Sequence, residues 1–425
     1  MPSGSLHRSS RLSAVLAAML AISTAQAEVL YISDDAYVDA ITESSNTGER
    51  QALPIRDLDS ERRRFIREVQ RDGVDFDFEL FKEVELPNFK HLRVPVFRSS
   101  GTRGPGILLV HGNSSSSRSF VFQVFGGLGL THRIFLLDLP GHGRAEKVDP
   151  SLPLPTDGGV PVGFPEYQIG LLEALAVVAA DPEIAPEVFV GWSLGGDLLL
   201  QAHGAGLLPD AKGFFIFGTA PVGAHPPTTE PPFLPPNVPE RPLGILPSFG
   251  FAFQVDPRSP LGFSLNGQFT DPVPPFAPPP ISEARNVGEA YLRAFFGGGR
   301  GLQGIVPRFF LEDGFDRADA RARASLGVVA LGLLATGAVD ELEVLHDLAG
   351  DPSTRDDDIP IAVAFGAQEA FVNGQYLKDL ADAGAIPTLW RDEIIEVRGA
   401  GHAIHFERPA RLNSLVRTFV RDLRP

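Results

Sequence analysis

The sequence predicts an α/β fold with a mostly parallel central sheet, and three observations carry that expectation. Short runs of continuous apolar residues, ILLV at 107–110, IFLL at 134–137, VFV at 188–190 and GFFIF at 213–217, have the length of strands buried on both faces. Segments with helical spacing follow several of them, so strand and helix alternate as in βαβ units. Ser193 stands between glycines directly after one of these runs, where the chain is expected to turn sharply from strand into helix.

Taken in order, the elements divide the chain into five parts. His7, Arg8 and Arg11 precede an apolar stretch at 12–22, and Ala25-Gln26-Ala27 then offers a small-x-small cleavage site, so residues 1–27 read as an export signal. The apolar stretch is too short to span a bilayer. The N-terminal extension, 28–75, is polar and irregular, with one helix expected at 59–71. The first part of the core, 76–225, opens with FELFKEVEL at 78–86 and LRVPVF at 92–97, whose alternation predicts paired strands. The four buried strands follow, with helices expected at 167–180 and from 198 onward. The pattern then breaks. Residues 226–280 hold 17 of the 38 prolines, a density that forbids regular sheet or helix. Phe233, Phe249, Phe251, Phe253, Phe263, Phe269 and Phe276 argue against simple disorder there. We read 226–348 as a cap with a Pro/Phe-rich insertion lying over something apolar, and expect its helices at 290–296 and 318–334. The second part of the core, 349–425, contributes strands at 359–365 and 393–397 and a closing amphipathic helix at 409–423 that begins with proline.

Composition excludes several functions. The formal net charge is −16 and no basic stripe stands out, which argues against nucleic acid as a partner. With no cysteine, disulfides, thiolate metal sites and a cysteine nucleophile are ruled out. No segment after the N-terminus is long and apolar enough for a membrane span.

The chemistry gathers around Gly191-Trp192-Ser193-Leu194-Gly195. A glycine two before and two after the serine lets the backbone cross itself in a tight elbow, lifting the hydroxyl above the sheet edge. A serine hydroxyl needs a base to accept its proton. In folds of this kind the chain order is nucleophile, acid, histidine. His402 follows a strand and sits in a glycine-bounded loop, which makes it the candidate base; His405, its neighbour, reads as a packing or surface histidine. Glu369 lies at the tip of a loop after a buried strand, in Gly366-Ala367-Gln368-Glu369, and is the candidate third member; Asp356, Asp357 and Asp358 read as a solvated linker run. The backbone N–H groups of Leu194 and Asn113 are the candidate oxyanion donors, with Gly112 permitting close approach of the loop after the 107–110 strand. Trp192 is expected to contact the substrate, and the Asn113 side chain to contact it or to hold its loop; His111 reads as a structural residue at the end of its strand, and Asp138 and His142 as shaping their loop.

Together, His111-Gly112-Asn113, the segment at 138–143, the serine elbow, the loop at 366–369 and Gly401-His402 resemble the α/β-hydrolase superfamily. The likeness covers about 76–225 and 355–425, with a weaker match at about 281–335. Within the superfamily the chain resembles the N-acyl-homoserine lactone hydrolases of this fold. The residues concerned are HGNSS at 111–115, GWSLGG at 191–196, Gly-Thr-x-Pro-Val at 218–222 and Glu-x-Phe-Val at 369–372. The resemblance implies a small-molecule ester or lactone as substrate and a lactonase that uses Ser193, Glu369 and His402 with no metal or cofactor. Asp197 and the Pro/Phe-rich insertion depart from that group. The expected function is hydrolysis of a carboxylic ester or lactone through an acyl-enzyme. Other Ser-His-Glu chemistry (thioesterase, lipase, carbon–carbon bond hydrolase) and a non-catalytic ligand receptor on the same scaffold stand as alternatives.

Overall fold

Eight strands form one sheet among the residues that the structure, a computed structural model, describes: 31–32, 78–148, 156–157, 160–161, 165–221, 292, 295–296, 310–315, 317–319, 322–323, 325–326, 339–350, 358–369 and 371–423. The strands are β1 (Glu79–Leu86), β2 (Phe89–Arg98), β3 (Arg103–Val110), β4 (His132–Leu137), β5 (Pro186–Trp192), β6 (Gly213–Phe217), β7 (Ile361–Gly366) and β8 (Ile395–Val397). Their spatial order is β8-β7-β6-β5-β3-β4-β2-β1. From β4 through β8 every neighbouring pair is parallel, while β2 runs antiparallel to both β1 and β4. The chain order reverses between β3 and β5, and ligands of open α/β sheets bind beyond the carboxyl ends of strands at such a point.

Sequence pattern explains each strand's place. The central strands are continuous apolar runs because both of their faces are covered: all of β6 and β7, and the last five residues of β3, are buried. Edge strand β1 has a mixed pattern, with Val84 and Leu86 buried and Glu83 and Glu85 exposed, as befits a strand with one face in water.

Six helices matter for the site: α1 (Pro165–Ala180), α2 (Leu194–Gly204), α3 (Glu341–Asp347), α4 (Gly374–Asp382), α5 (Ile404–Glu407) and α6 (Pro409–Asp422). α1 packs on β1 and α2, α2 on β5, α3 on α2, and α6 on β6. α6 carries proline at its first turn, where a missing N–H costs no hydrogen bond. Leu412, Leu415, Val416, Phe419 and Val420 supply its buried face.

The expected strands and helices of both core segments are present, with bounds shifted by a few residues. α4 is an addition that periodicity missed. Asn373 caps it, its side-chain oxygen accepting the N–H groups of Gln375 (3.0 Å) and Tyr376 (3.4 Å). The expected export signal at 1–27, the helix at 59–71 and the Pro/Phe-rich stretch at 226–280 lie outside the described residues, as does most of the expected helices at 290–296 and 318–334. What is described of that region joins the core: Leu292, Phe295, Phe296, Phe310, Phe315 and Leu326 are buried in the same apolar cluster as the sheet. Arg118, in a short helical turn after β3, pairs with Asp313 at 3.2 Å and links that region to the core.

Candidate active site

The serine elbow is a single residue long. β5 ends at Trp192 and α2 begins at Leu194, leaving Ser193 alone between them at φ 55° and ψ −133°. A non-glycine residue at positive φ costs about 1–3 kcal/mol and persists only where its surroundings hold it. Here they do. The Ser193 N–H donates to the Phe217 carbonyl (2.9 Å), and the Ser193 carbonyl accepts the Thr219 hydroxyl (2.9 Å) and the Gly196 N–H (2.8 Å). Glycine at 191 is required by contact, because a Cβ there would meet the Gly196 Cα at 2.5 Å.

Two loops bring partners to this hydroxyl. His402, in the loop after β8, has its Nε2 2.9 Å from the Ser193 Oγ. Its Nδ1 lies 2.9 Å from the Oε1 of Glu369, in the loop after β7. The same Oε1 accepts the Phe371 N–H at 3.0 Å, which fixes the carboxylate's direction. The imidazole and carboxylate side chains are only 2% and 3% exposed, so this chain of hydrogen bonds runs in a low-dielectric setting. Aromatic rings surround the imidazole, with Phe371, Phe295 and Trp192 centroids at 4.9, 5.2 and 5.6 Å. A serine proton accepted at Nε2 leaves Nδ1–H to donate to Glu369, the tautomer a general base requires.

The loop after β3 closes the other side. A Cβ on Gly112 would meet the Ser193 Cβ at 2.7 Å and the Trp192 carbonyl at 3.0 Å, so only glycine lets this backbone lie against the serine. His111 is fully buried; its Nε2 accepts the Leu139 N–H (3.1 Å), leaving Nδ1–H to donate to the Gly112 carbonyl (2.8 Å). Asp138 ties neighbouring turns together by accepting the N–H groups of Ser117 (2.6 Å) and Arg144 (2.8 Å). Burial lowers the pKa of His111 and pushes that of His142 well down, keeping both rings neutral.

With this geometry in view, comparison with known proteins gives the family. Residues 107–415 match the family model described as "Alpha/beta hydrolase family". The chain belongs to the alpha/beta hydrolase family. A pimeloyl-[acyl-carrier protein] methyl ester esterase of Xylella fastidiosa (strain M12) is 33% identical to this hydrolase over 118 residues. That match spans 28% of this chain and 38% of the esterase. Among solved structures, the N-acyl homoserine lactonase AidH, complexed with N-butanoyl homoserine, superposes with a TM-score of 0.54 at 23% identity, covering 82% of this chain and 98% of the lactonase. The esterase RhEst1 from Rhodococcus sp. ECU1013 gives 0.51 at 20% identity, covering 80% and 98% of the two chains.

The hydrolase places the expected site residues as follows. Ser193, Glu369 and His402 meet as described, and Asn113 and Leu194 follow Gly112 and Ser193 directly. Leu194 opens α2, where the first N–H groups have no partner within the helix. Trp192, expected to contact the substrate, is fully buried, and its indole N–H donates to the His402 carbonyl (2.9 Å). His405 lies in α5, fully buried beside Trp192 (centroids 4.2 Å apart), and burial pushes its pKa well down. It is a packing residue. Asp358 accepts the Gly350 N–H (3.0 Å) away from the site, and Asp356 and Asp357 lie outside the described residues. Among the described residues no cluster of histidine and carboxylate side chains has the arrangement of a metal site. Sequence reasoning missed Thr219, Phe295 and Glu407, whose carboxylate accepts the Gly401 N–H (2.5 Å). Only the threonine carried a signal, standing in the Gly-Thr-x-Pro-Val segment.

Proposed function

We propose that this alpha/beta hydrolase cleaves a carboxylic ester or lactone with Ser193 as nucleophile. The observation that carries this reading is the continuous hydrogen-bond chain from Ser193 Oγ through the His402 ring to Glu369, 2.9 Å at each step. His402 Nε2 takes the serine proton as Oγ attacks the carbonyl carbon, and Glu369 stabilises the resulting imidazolium. The Asn113 and Leu194 N–H groups hold the oxyanion. The imidazolium returns its proton to the departing alkoxide, which leaves as an alcohol, or stays tethered if the substrate is a lactone. Water, deprotonated by His402, then splits the acyl-enzyme, releasing the acid and restoring Ser193. The likeness to a homoserine lactonase and to methyl-ester and other esterases supports an oxygen ester over an amide. Acyl-homoserine lactones are the first substrates to try.

The test is Ser193→Ala against wild type on a panel of short p-nitrophenyl esters and acyl lactones, with a fluorophosphonate label as a substrate-independent check. We expect loss of roughly six orders of magnitude in turnover and complete loss of labelling, with an unchanged circular dichroism spectrum. Retained turnover or labelling overturns the assignment. We also read residues 1–27 as an export signal removed after Ala27; N-terminal sequencing of the protein recovered outside the cytoplasm should begin at Glu28.

A further inference from the structure

Three consecutive residues of the histidine loop are held by three different parts of the chain. Gly401 N–H donates to the Glu407 carboxylate (2.5 Å), the His402 carbonyl accepts the Trp192 indole N–H (2.9 Å), and Ala403 N–H donates to the Phe295 carbonyl (3.0 Å). The first bond is local to the loop and α5, and the third comes from the region expected to form the cap. The Trp192 bond is of another kind, since it joins the loop to the residue bonded covalently to Ser193. A closed ring results: the peptide bond from 192 to 193, the Ser193 Oγ to His402 Nε2 contact, and the His402 carbonyl back to the indole.

The indole cannot swing away from this position. It has no exposed surface and is packed against His405 (4.2 Å), with Phe295 (5.4 Å) and Phe310 (6.2 Å) edge-on. Its donor therefore stands at a fixed point relative to the serine elbow. Loss of the donor would leave a buried carbonyl without this bond and free the loop to turn about its remaining anchors.

We propose that Trp192 is a positioning residue for hydrolysis: its indole N–H holds the His402 backbone so that the imidazole Nε2 stays on the Ser193 hydroxyl. The proposal rests on reading Ser193 and His402 as nucleophile and base. Displacing a catalytic group by about 1 Å can cost on the order of 100-fold in rate, so loss of this bond is expected to register in turnover.

The experiment separates the N–H from the ring. The chain has two tryptophans, so in a Trp390→Phe background position 192 is the sole tryptophan. Residue-specific incorporation of 3-benzothienylalanine then keeps the bicyclic shape and replaces N–H by sulfur. Trp192→Phe in the same background is the genetic counterpart, and the analogue carries the test should that variant misfold. The measurement is fluorophosphonate labelling, which needs no knowledge of the substrate, resolved into its maximal rate and half-saturation concentration well below Tm. We expect the maximal rate to fall about 10- to 100-fold with half-saturation within about twofold. An unchanged rate in the sulfur analogue overturns the proposal, because the ring alone then suffices. A raised half-saturation with unchanged rate overturns it in favour of a ligand contact. Equal labelling of wild type and Ser193→Ala would instead remove the functional reading beneath it, and this proposal with it.

Discussion

Ser193 holds a backbone conformation that few serines adopt, and its hydrogen bonds to the Phe217 carbonyl and from Thr219 and Gly196 show what keeps it there. Glu369, the partner of His402 Nδ1, tests the electrostatic half of the proposed mechanism. Glu369→Gln preserves size and leaves an acceptor near His402 Nδ1, but it removes the negative charge and allows the amide to select the wrong imidazole tautomer. Turnover should fall roughly 10⁴-fold, with circular dichroism unchanged; a loss below tenfold would mean that the carboxylate only fills space. Much of the residue scale was legible in the sequence. Ser193, His402 and Glu369 each follow a buried strand, and a short loop at a strand's carboxyl end points toward the same sheet rim as its neighbours. The role of Trp192 was not legible, because the carbonyl it holds lies far along the chain and only the fold brings the two together.

At the scale of elements, α4 shows how a real signal can be passed over. Asn373 before a stretch with Leu377 and Leu380 buried four and three residues on is a helix start, yet the nine-residue helix has only a narrow apolar stripe. Asn373→Ala should cost about 1 kcal/mol of stability, read as a lower Tm or denaturant midpoint. Catalytic parameters should hold, since the cap supports the loop beyond Glu369 without touching the serine; an unchanged midpoint would show that packing alone fixes the helix. The short continuous strands β6 and β7 were recognisable because burial on both faces admits no polar alternation.

At the scale of the whole molecule, the elbow helix is clasped by a pair of buried acids. Asp197 on α2 and Glu341 on α3 interact inside the protein, and Gln201 Nε2 donates to Glu341 Oε1 (2.9 Å). Burial, reinforced by the neighbouring Glu341, raises the Asp197 pKa well above its ordinary value. Burial first, then the Glu341, Asp340 and Asp197 charges, push the nearby Tyr376 phenol up to about 12. The folded protein thus holds the Asp197 proton at pH values where the unfolded chain has released it. The Asp197 contribution to stability is therefore fully present below the usual carboxylate range and declines as pH rises toward its elevated pKa. Asp197→Asn removes this titration. The variant's Tm should gain on that of the wild type as pH increases from 5 to 8; parallel Tm curves would contradict the clasp. Asp197 was visible in the sequence as a departure from related hydrolases, but its partner was not, because Glu341 lies beyond the Pro/Phe-rich segment.

The sequence by itself determined the alternation of buried strands and helices, the serine elbow and the order of the three polar residues that follow buried strands. Those features are local: strand burial, turn geometry and the need for glycine are written in neighbouring residues. Tertiary structure decided what distant residues do to one another: that Trp192 holds the His402 carbonyl, that Thr219 steadies the strained serine, and that Asp197 meets Glu341. Each of these depends on a hydrogen bond or a desolvation energy between atoms brought close only by the packed sheet, and no period or motif along the chain encodes such a distance.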